Sequence, residues 1–416
     1  MRNNTLEESY LSPARLSVAG TRILAKVTMK KDTHLLHAGR TPKSNFGIVN
    51  PPVYHASTVT FPTVAAMHEA GKNPTEGIYY GRMGTPTSQA FEEAVAALEG
   101  ADRAIAVQSG LAAITGAIMA FVKAGDHILV TDSVYFPTKK FCDEFLKNFG
   151  VEVTYYDPMI GAAITDLMQD NTKIVFTEAP GSLTFEVQDI PAIAKAAHNR
   201  GAIVMIDNTW AAGYYFNAFE HGCDVSIQAA TKYIGGHSDI MMGTIALREE
   251  HYKPVKSKLY TLGYCASPDD CYLGQRGLRS LPARLARHQE NGMKMAAWLK
   301  ERPEVTKVLH PAFEDCPGHE FWKRDFTGAS GLFSVVLDGK YSAQAVAAML
   351  DGMELFPMGY SWGGYESLII PFNPKGARQV TDWVEEGPCL RIHAGQENID
   401  DLIEDLNNGF ERLNKA

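Results

Sequence analysis

"SIQAATKYIGGHSD", Ser226 to Asp239, continues an apolar run that begins at Val225. The run gives way to small residues, then to Thr231 and Lys232, and Gly235 and Gly236 turn the chain immediately afterwards. Such a pattern predicts a strand whose carboxyl end presents a lysine. An isolated lysine at a loop is ordinarily a solvated surface group, so its neighbours in the fold decide whether it carries chemistry.

Outward from this stretch, short runs rich in β-branched residues alternate with helical patterns between residues 100 and 247. The runs are "AIAV", "HILV", "VEVTYY", "KIVF", "IVMI" and "VSIQ"; the helical patterns lie at Leu111–Lys123, from Lys139 and from Pro191. The alternation predicts an α/β domain, a mostly parallel sheet with helices on its faces. From about Pro282 a long helical segment, "ARLARHQENGMKMAAWLKER", leads to strands near Val305, Leu332 and Leu390 and to helices near Ser342 and Ile399. That part predicts a smaller C-terminal α+β domain. The expected division is a disordered extension over 1–28, with Met29 as a plausible start, an N-terminal arm over 29–80, the α/β domain over 81–275 and the α+β domain over 276–416. The Gly/Pro-rich region from Phe46 to Thr87 reads as arm rather than core.

Composition narrows the function. With 416 residues, 45% of them hydrophobic and 21% charged, the chain suits two or three folded domains and shows no low-complexity tract. A net charge of -9 argues against a nucleic-acid or anionic-membrane surface, either of which needs a basic face. The longest apolar helical run, Leu111 to Val122, falls short of the roughly 20 residues that span a bilayer. The six cysteines form no CxxC pair, no secretory segment opens the chain, and the 13 histidines fall into no zinc spacing. A cytoplasmic enzyme acting on a small molecule, without a metal, is the expectation.

In an open parallel sheet, ligands collect at the carboxyl ends of the strands. "AIAVQSG" turns at Ser109 and Gly110 into a helix, aiming free N–H groups outward as a seat for a phosphate. "IVMID" ends at Asp207, and the opening stretch delivers Lys232. Each has a bland alternative: a turn, an N-cap, a surface amine. Together they supply what pyridoxal 5'-phosphate requires, namely phosphate donors, an acid for its pyridine nitrogen and an amine for its aldehyde.

The joint order of these residues carries a resemblance. "DNTWAAGYYFNAFEHGCDVSIQAATKYIGGHSD" closely resembles the lysine-bearing stretch of the Cys/Met-metabolism pyridoxal-phosphate enzymes, a fold-type I family. The likeness runs from about Asp32 to Arg412 and includes "YYGRMGTPT", "AVQSGLAA", "EAPGSLTFEVQDIPAI", "HEFWKRDFTGASGLFS", "GYSWGGYESL" and "LRIHAGQENIDDLIEDLNNGFERL". Within the family it is similar to the branch that cleaves cystathionine by β-elimination to homocysteine, pyruvate and ammonia in methionine biosynthesis. A γ-lyase or a cysteine or cystine lyase is the alternative within the same family.

The resemblance implies roles position by position. Lys232, Tyr135 and Tyr80 would be catalytic: Lys232 would hold the cofactor and move the substrate's α-proton, and Tyr135 would stack on the cofactor ring. Asp207 would pair with the pyridine nitrogen; Gly110, Leu111 and Thr231 would give donors to the phosphate. Tyr80 and Arg82, on the arm, would reach the phosphate of a neighbouring subunit, so that sites form only in dimers, with a homotetramer built from two such dimers expected. Arg391 would grip the substrate α-carboxylate, and Tyr360, Ser361 and Trp362 would line the substrate site. Two positions depart from the wider family: Ala229 stands where many members carry a phosphate-binding serine, and Ser182 where γ-acting relatives show an asparagine. At "GYSWGG" those relatives resemble E-S-L-G-G, which puts Tyr360 in place of a glutamate and Trp362 in place of a leucine.

A rival from another reaction class starts from the same segment. "GYSWG", Gly359 to Gly363, matches the G-x-S-x-G turn of serine hydrolases, and Asp382 and His393 come after Ser361 in the right order. That turn needs a helix directly after the serine. Here the next residues are "GGYESLIIPF", with two glycines, β-branched residues and a proline, so a nucleophilic role for Ser361 is disfavoured.

Overall fold

The structure, a computed structural model, describes residues 29–416; the expected extension over 1–28 lies outside them. The larger sheet has seven strands: β1 (Arg103–Val107), β2 (His127–Thr131), β3 (Glu152–Tyr156), β4 (Thr172–Glu178), β5 (Ile203–Asp207), β6 (Val225–Gln228) and β7 (Gly243–Leu247). Their spatial order is β1-β7-β6-β5-β4-β2-β3. β6, β5, β4, β2 and β3 pair in parallel, and β7 runs antiparallel to both its neighbours. The six expected strands are present; β7, "GTIAL", is a seventh that the sequence pattern does not separate from the run before it.

The alternation along each strand explains why both faces are covered. In β1, Ala104 and Ala106 join one core while Ile105 and Val107 join the other; in β5, Val204 and Ile206 oppose Met205 in the same way. Side chains in a strand point alternately to opposite faces, so an uninterrupted apolar run demands helices on both. Gly110–Phe121 and Glu249–Thr261 cover one face through Ile114, Ile118, Val255 and Leu259. Pro86–Glu99 and Ile190–Asn199 cover the other through Phe91, Val95, Ile193 and Ala197. With the faces closed, polar chemistry is confined to the strand ends.

A four-stranded antiparallel sheet forms the smaller unit: β8 (Val305–Leu309), β9 (Leu332–Leu337), β10 (Leu368–Phe372) and β11 (Cys389–His393), ordered β10-β11-β9-β8. The helices Ala343–Leu350 and Ile399–Lys415 pack on it through Val346, Met349, Leu402, Leu406 and Phe410. The expected helix start at Pro282 is corrected. One helix runs from Pro268 to Lys300, capped by the Ser267 hydroxyl, with Pro282 inside it. Proline favours a first helical turn, but buried Leu278, Leu281 and Leu285 on either side hold the helix through the lost hydrogen bond. Residue 275 therefore lies within a continuous helix.

A second tie joins the two units. After β10 the chain returns to the large unit, where the Asp132 carboxylate accepts the N–H groups of Gln379 (2.9 Å), Val380 (2.9 Å) and Thr381 (3.0 Å). Arg378, on the same segment, pairs with Glu186 at 2.5 Å. Burial acts to raise the Asp132 carboxyl, yet these N–H groups and Lys139 hold it below the ordinary aspartate value. Its contribution is therefore complete above the unfolded aspartate pKa of about 3.9 and is lost as pH falls through the lower folded value. Asp132→Asn should lower stability at pH 7 by about 1–3 kcal/mol, since the amide turns an NH2 toward donors. Urea denaturation at pH 7 and pH 3 checks this: the deficit should shrink at the lower pH, and an equal deficit at both would contradict it.

Candidate active site

β5 and β6 end side by side, Asp207 opposite Ile227, and the turns that leave the two strands are locked to each other. Asp207 accepts the Thr209 N–H at 3.1 Å and the Thr209 hydroxyl at 2.5 Å; that hydroxyl oxygen in turn accepts the Ala229 N–H at 2.9 Å. The carboxylate is thus aimed by its own turn and linked to the segment that carries the lysine. Burial pushes the Asp207 carboxyl up, opposed by the two Thr209 bonds and by Lys232.

Lys232 lies in the connection by which β6 turns back into β7. Its Nζ donates to Ser361 Oγ at 2.9 Å and stands 5.4 Å from the centre of the Trp362 ring. Burial and the Arg391 guanidinium lower the Lys232 pKa to about 8 against the pull of Asp207. An amine so placed is partly unprotonated near neutrality, as a nucleophile or base must be.

Arg391 occupies the middle of β11, opposite Ile370 and Ser334, and is 8% exposed. Its Nη2 donates to the carbonyls of Gly359 and Ser361, each at 3.0 Å. Nη1 also reaches the Tyr360 carbonyl at 3.5 Å, and the remaining guanidinium N–H groups are left for a ligand. Burial lowers its pKa to about 10, so it is charged at neutral pH. Tyr135, half exposed, begins the helix after β2, with its backbone N–H held by Glu178 Oε2 at 2.7 Å. Burial, then Asp207 and Glu178, raise its phenol pKa, so the hydroxyl keeps its proton.

The helix Gly110–Phe121 points its first turn at the same place. Ser109 takes the N–H of Ala112 with its hydroxyl and that of Ala113 with its carbonyl, which leaves the N–H groups of Gly110 and Leu111 without acceptors among the described residues. A Cβ at Gly110 would stand 2.6 Å from the Ala229 Cβ, so glycine and alanine here let the helix end approach the lysine-bearing segment. Two free N–H groups, an aimed carboxylate, a lowered-pKa amine and an exposed tyrosine fit pyridoxal phosphate in donor chemistry as well as in order along the chain.

Not every expected residue joins this group. The Thr231 hydroxyl is engaged with Met242, accepting its N–H at 3.0 Å and lying 3.2 Å from its carbonyl. Arg82 donates to the Tyr260 carbonyl at 2.6 Å and Tyr80 is 42% exposed; among the described residues neither bonds to Lys232, Asp207 or Arg391. Nor do the parts of a hydrolase triad meet. Ser361 faces Lys232, while His393 Nε2 accepts the Gly363 N–H at 3.0 Å. Sequence reading misses Thr209, whose signal is its place two residues after Asp207. It also misses Glu178, which stands beside Asp207 only because β4 and β5 pair in register.

Comparison with known proteins fits this geometry. The family described as "Cys/Met metabolism PLP-dependent enzyme" matches residues 32–411. A putative cystathionine beta-lyase of Rhizobium johnstonii is 50% identical over 91% of this chain and 95% of its own, and the cystathionine beta-lyase MetC of Escherichia coli is 46% identical over 92% and 99%. A solved structure, metB from Corynebacterium glutamicum, superposes with a TM-score of 0.86 at 32% identity, over 93% of this chain and 99% of that one. The fold, the grouped residues and these matches make the chain a member of the Cys/Met-metabolism family of pyridoxal-phosphate-dependent enzymes.

Proposed function

We propose that the chain is a carbon–sulfur lyase that splits L-cystathionine at its β-carbon, yielding homocysteine, pyruvate and ammonia with uptake of one water. The observation that carries the reading is the half-buried Lys232 amine, its pKa lowered to about 8, held 2.9 Å from Ser361 and under the electrostatic influence of Arg391 and Asp207. The relatives named as β-lyases favour cystathionine as substrate. Position 360 carries no carboxylate and its tyrosine is 91% exposed, while the Trp362 ring centre stands 5.4 Å from Lys232 Nζ; both favour β- over γ-cleavage.

Bound through its aldehyde, pyridoxal phosphate supplies an electron sink for the bond electrons of the substrate α-carbon. Lys232, Asp207, Tyr135, Gly110 and Leu111 are the residues of this chain that would hold it, with Thr231 at the rim. Arg391 would bind the substrate α-carboxylate, and its own anchorage to the Gly359 and Ser361 carbonyls fixes the direction of that grip. Lys232 would take the α-proton, with Ser361 Oγ holding the amine in place between steps. Asp207, aimed by Thr209, would pair with the ring nitrogen and so hold a proton on it.

The protein would work in the cytoplasm as a homo-oligomer, a tetramer built from two dimers that each share their sites. The arm supports this: Phe46 (96% exposed), Ile48, Val49, Tyr54 and Val64 expose apolar side chains on a segment that also carries Tyr80 and Arg82. No helix of the described residues is long and apolar enough to cross a membrane.

Four outcomes are expected. Cystathionine should give homocysteine and pyruvate by product analysis; cysteine with 2-oxobutyrate would place the activity with the γ-lyases. Borohydride reduction of the holoenzyme should fix the cofactor to a peptide containing Lys232, and Lys232→Ala should lose that label together with about 10³-fold or more of turnover. In apoenzyme, the rate of covalent cofactor attachment should rise with pH through about 8, and Asp207→Ala should move that midpoint down, since Asp207 raises the Lys232 pKa; an upward shift would contradict the electrostatics. For the assembly, mixing inactive Arg82→Ala and Lys232→Ala subunits should restore activity in hybrids, and no recovery after verified exchange would mean the arm serves its own chain.

A further inference from the structure

The segment bearing Tyr360, Ser361 and Trp362 has little regular structure of its own, yet it must hold a serine against Lys232. Two side chains on one face of β11 hold it. Arg391 and His393 are two residues apart, so they point to the same side of the strand. Arg391 fixes the carbonyls at 359 and 361. His393 takes the next stretch: its Nε2 accepts the Gly363 N–H at 3.0 Å, and its Nδ1–H donates to the Glu366 carbonyl at 3.0 Å.

Those two bonds require one neutral tautomer, with the proton on Nδ1. The surroundings enforce it. The ring is fully buried, its centre 5.1 Å from that of His288 and 5.9 Å from that of Tyr233. Burial acts most strongly against protonation, followed by His288, with Arg391 and Lys232 adding to them, and the Glu366 carbonyl, which acts for it, does not overcome their sum. Gly363 has no room to move. Its φ is +82° and a Cβ there would lie 3.0 Å from the Lys232 Cβ, so the backbone at 363 is stacked directly on the lysine. Trp362, between the two anchorages, packs on Tyr233 with ring centres 5.5 Å apart.

We propose that His393 is a positioning residue for substrate discrimination: by bridging Gly363 and Glu366 it sets where Trp362 and Ser361 stand relative to Lys232. This role presupposes that the chain is a β-lyase. A substrate with a long distal arm, cystathionine, depends on the wall that Trp362 forms, whereas β-chloro-L-alanine loses its leaving group without one. Displacement of the wall should therefore separate the two substrates, as a misplacement of about 1 Å costs on the order of 10²-fold.

The test measures kcat/KM of holoenzyme for both substrates in wild type and three variants. His393→Phe keeps the ring and removes both bonds; it should lower kcat/KM for cystathionine about 100-fold and for β-chloro-L-alanine less than tenfold. His393→Gln, whose amide supplies an acceptor and a donor at about the reach of Nε2, should return cystathionine cleavage to within tenfold of wild type. His393→Asn, one carbon shorter, reaches Glu366 but not Gly363 and should stay low, which keeps the test decisive if the Phe variant fails to fold. Equal losses on both substrates, an unaffected Phe or Asn variant, or a Gln variant as poor as Asn would overturn the proposal. A wild type that forms no homocysteine from cystathionine overturns the β-lyase reading instead, and does so before any substitution is made.

Discussion

Keeping an amine inside a protein, close to a guanidinium, is the constraint around which the site is arranged. Lys232 would be more stable protonated and solvated, but burial and Arg391 oppose its charge while Asp207 supports it. A lowered but measurable basicity results only if all three distances are fixed. The fixing groups come from separate parts of the fold: Thr209 ties the end of β5 to Ala229, Gly363 stacks on the lysine backbone, and Ser361 receives the Nζ hydrogen bond. Moving any of them alters the amine's charge as well as its position.

A similar need for fixed distances governs β11. A central strand of the small sheet, closed on both sides by β10 and β9, is among the most rigid places available for a functional side chain. Arg391 and His393 convert that rigidity into order in a segment that has little regular structure of its own. Arg391 and the segment from Gly359 to Gly363 are therefore parts of one body, and under the proposed function a substrate gripped by the arginine would meet a wall already in register with it.

Much of this is legible in the sequence because both faces of the large sheet are buried. Runs such as "IVMI" and "VSIQ" have no other way to be satisfied, and their ends mark Asp207 and Lys232. β7 is hard to see because no helix precedes it: the lysine segment itself is the connection, and it returns antiparallel. β10 carries Pro371 and reads poorly as a strand, yet it lies at the sheet edge, where a missing N–H costs little. Glu178 and Thr209 are invisible for a different reason. Their importance comes from which strands become neighbours and how a turn folds over Asp207, neither of which a linear pattern encodes. The hydrolase-like order Ser361, Asp382, His393 illustrates the converse, since correct order along the chain brings no contact in space.

The helix Pro268–Lys300 crosses from one sheet to the other without a break. At 1.5 Å per residue it is a rod roughly 50 Å long, and two bodies mounted on one rod do not swing as they would on a flexible joint. Relative movement of the sheets has to be taken up as bending, and the rod's most compliant point is Pro282, where one rung of the backbone ladder is absent. The Asp132 anchorage is a second tie and Gly363 packs on Lys232, so even with that rung missing the segment held by the small sheet and the lysine carried by the large one keep one spacing.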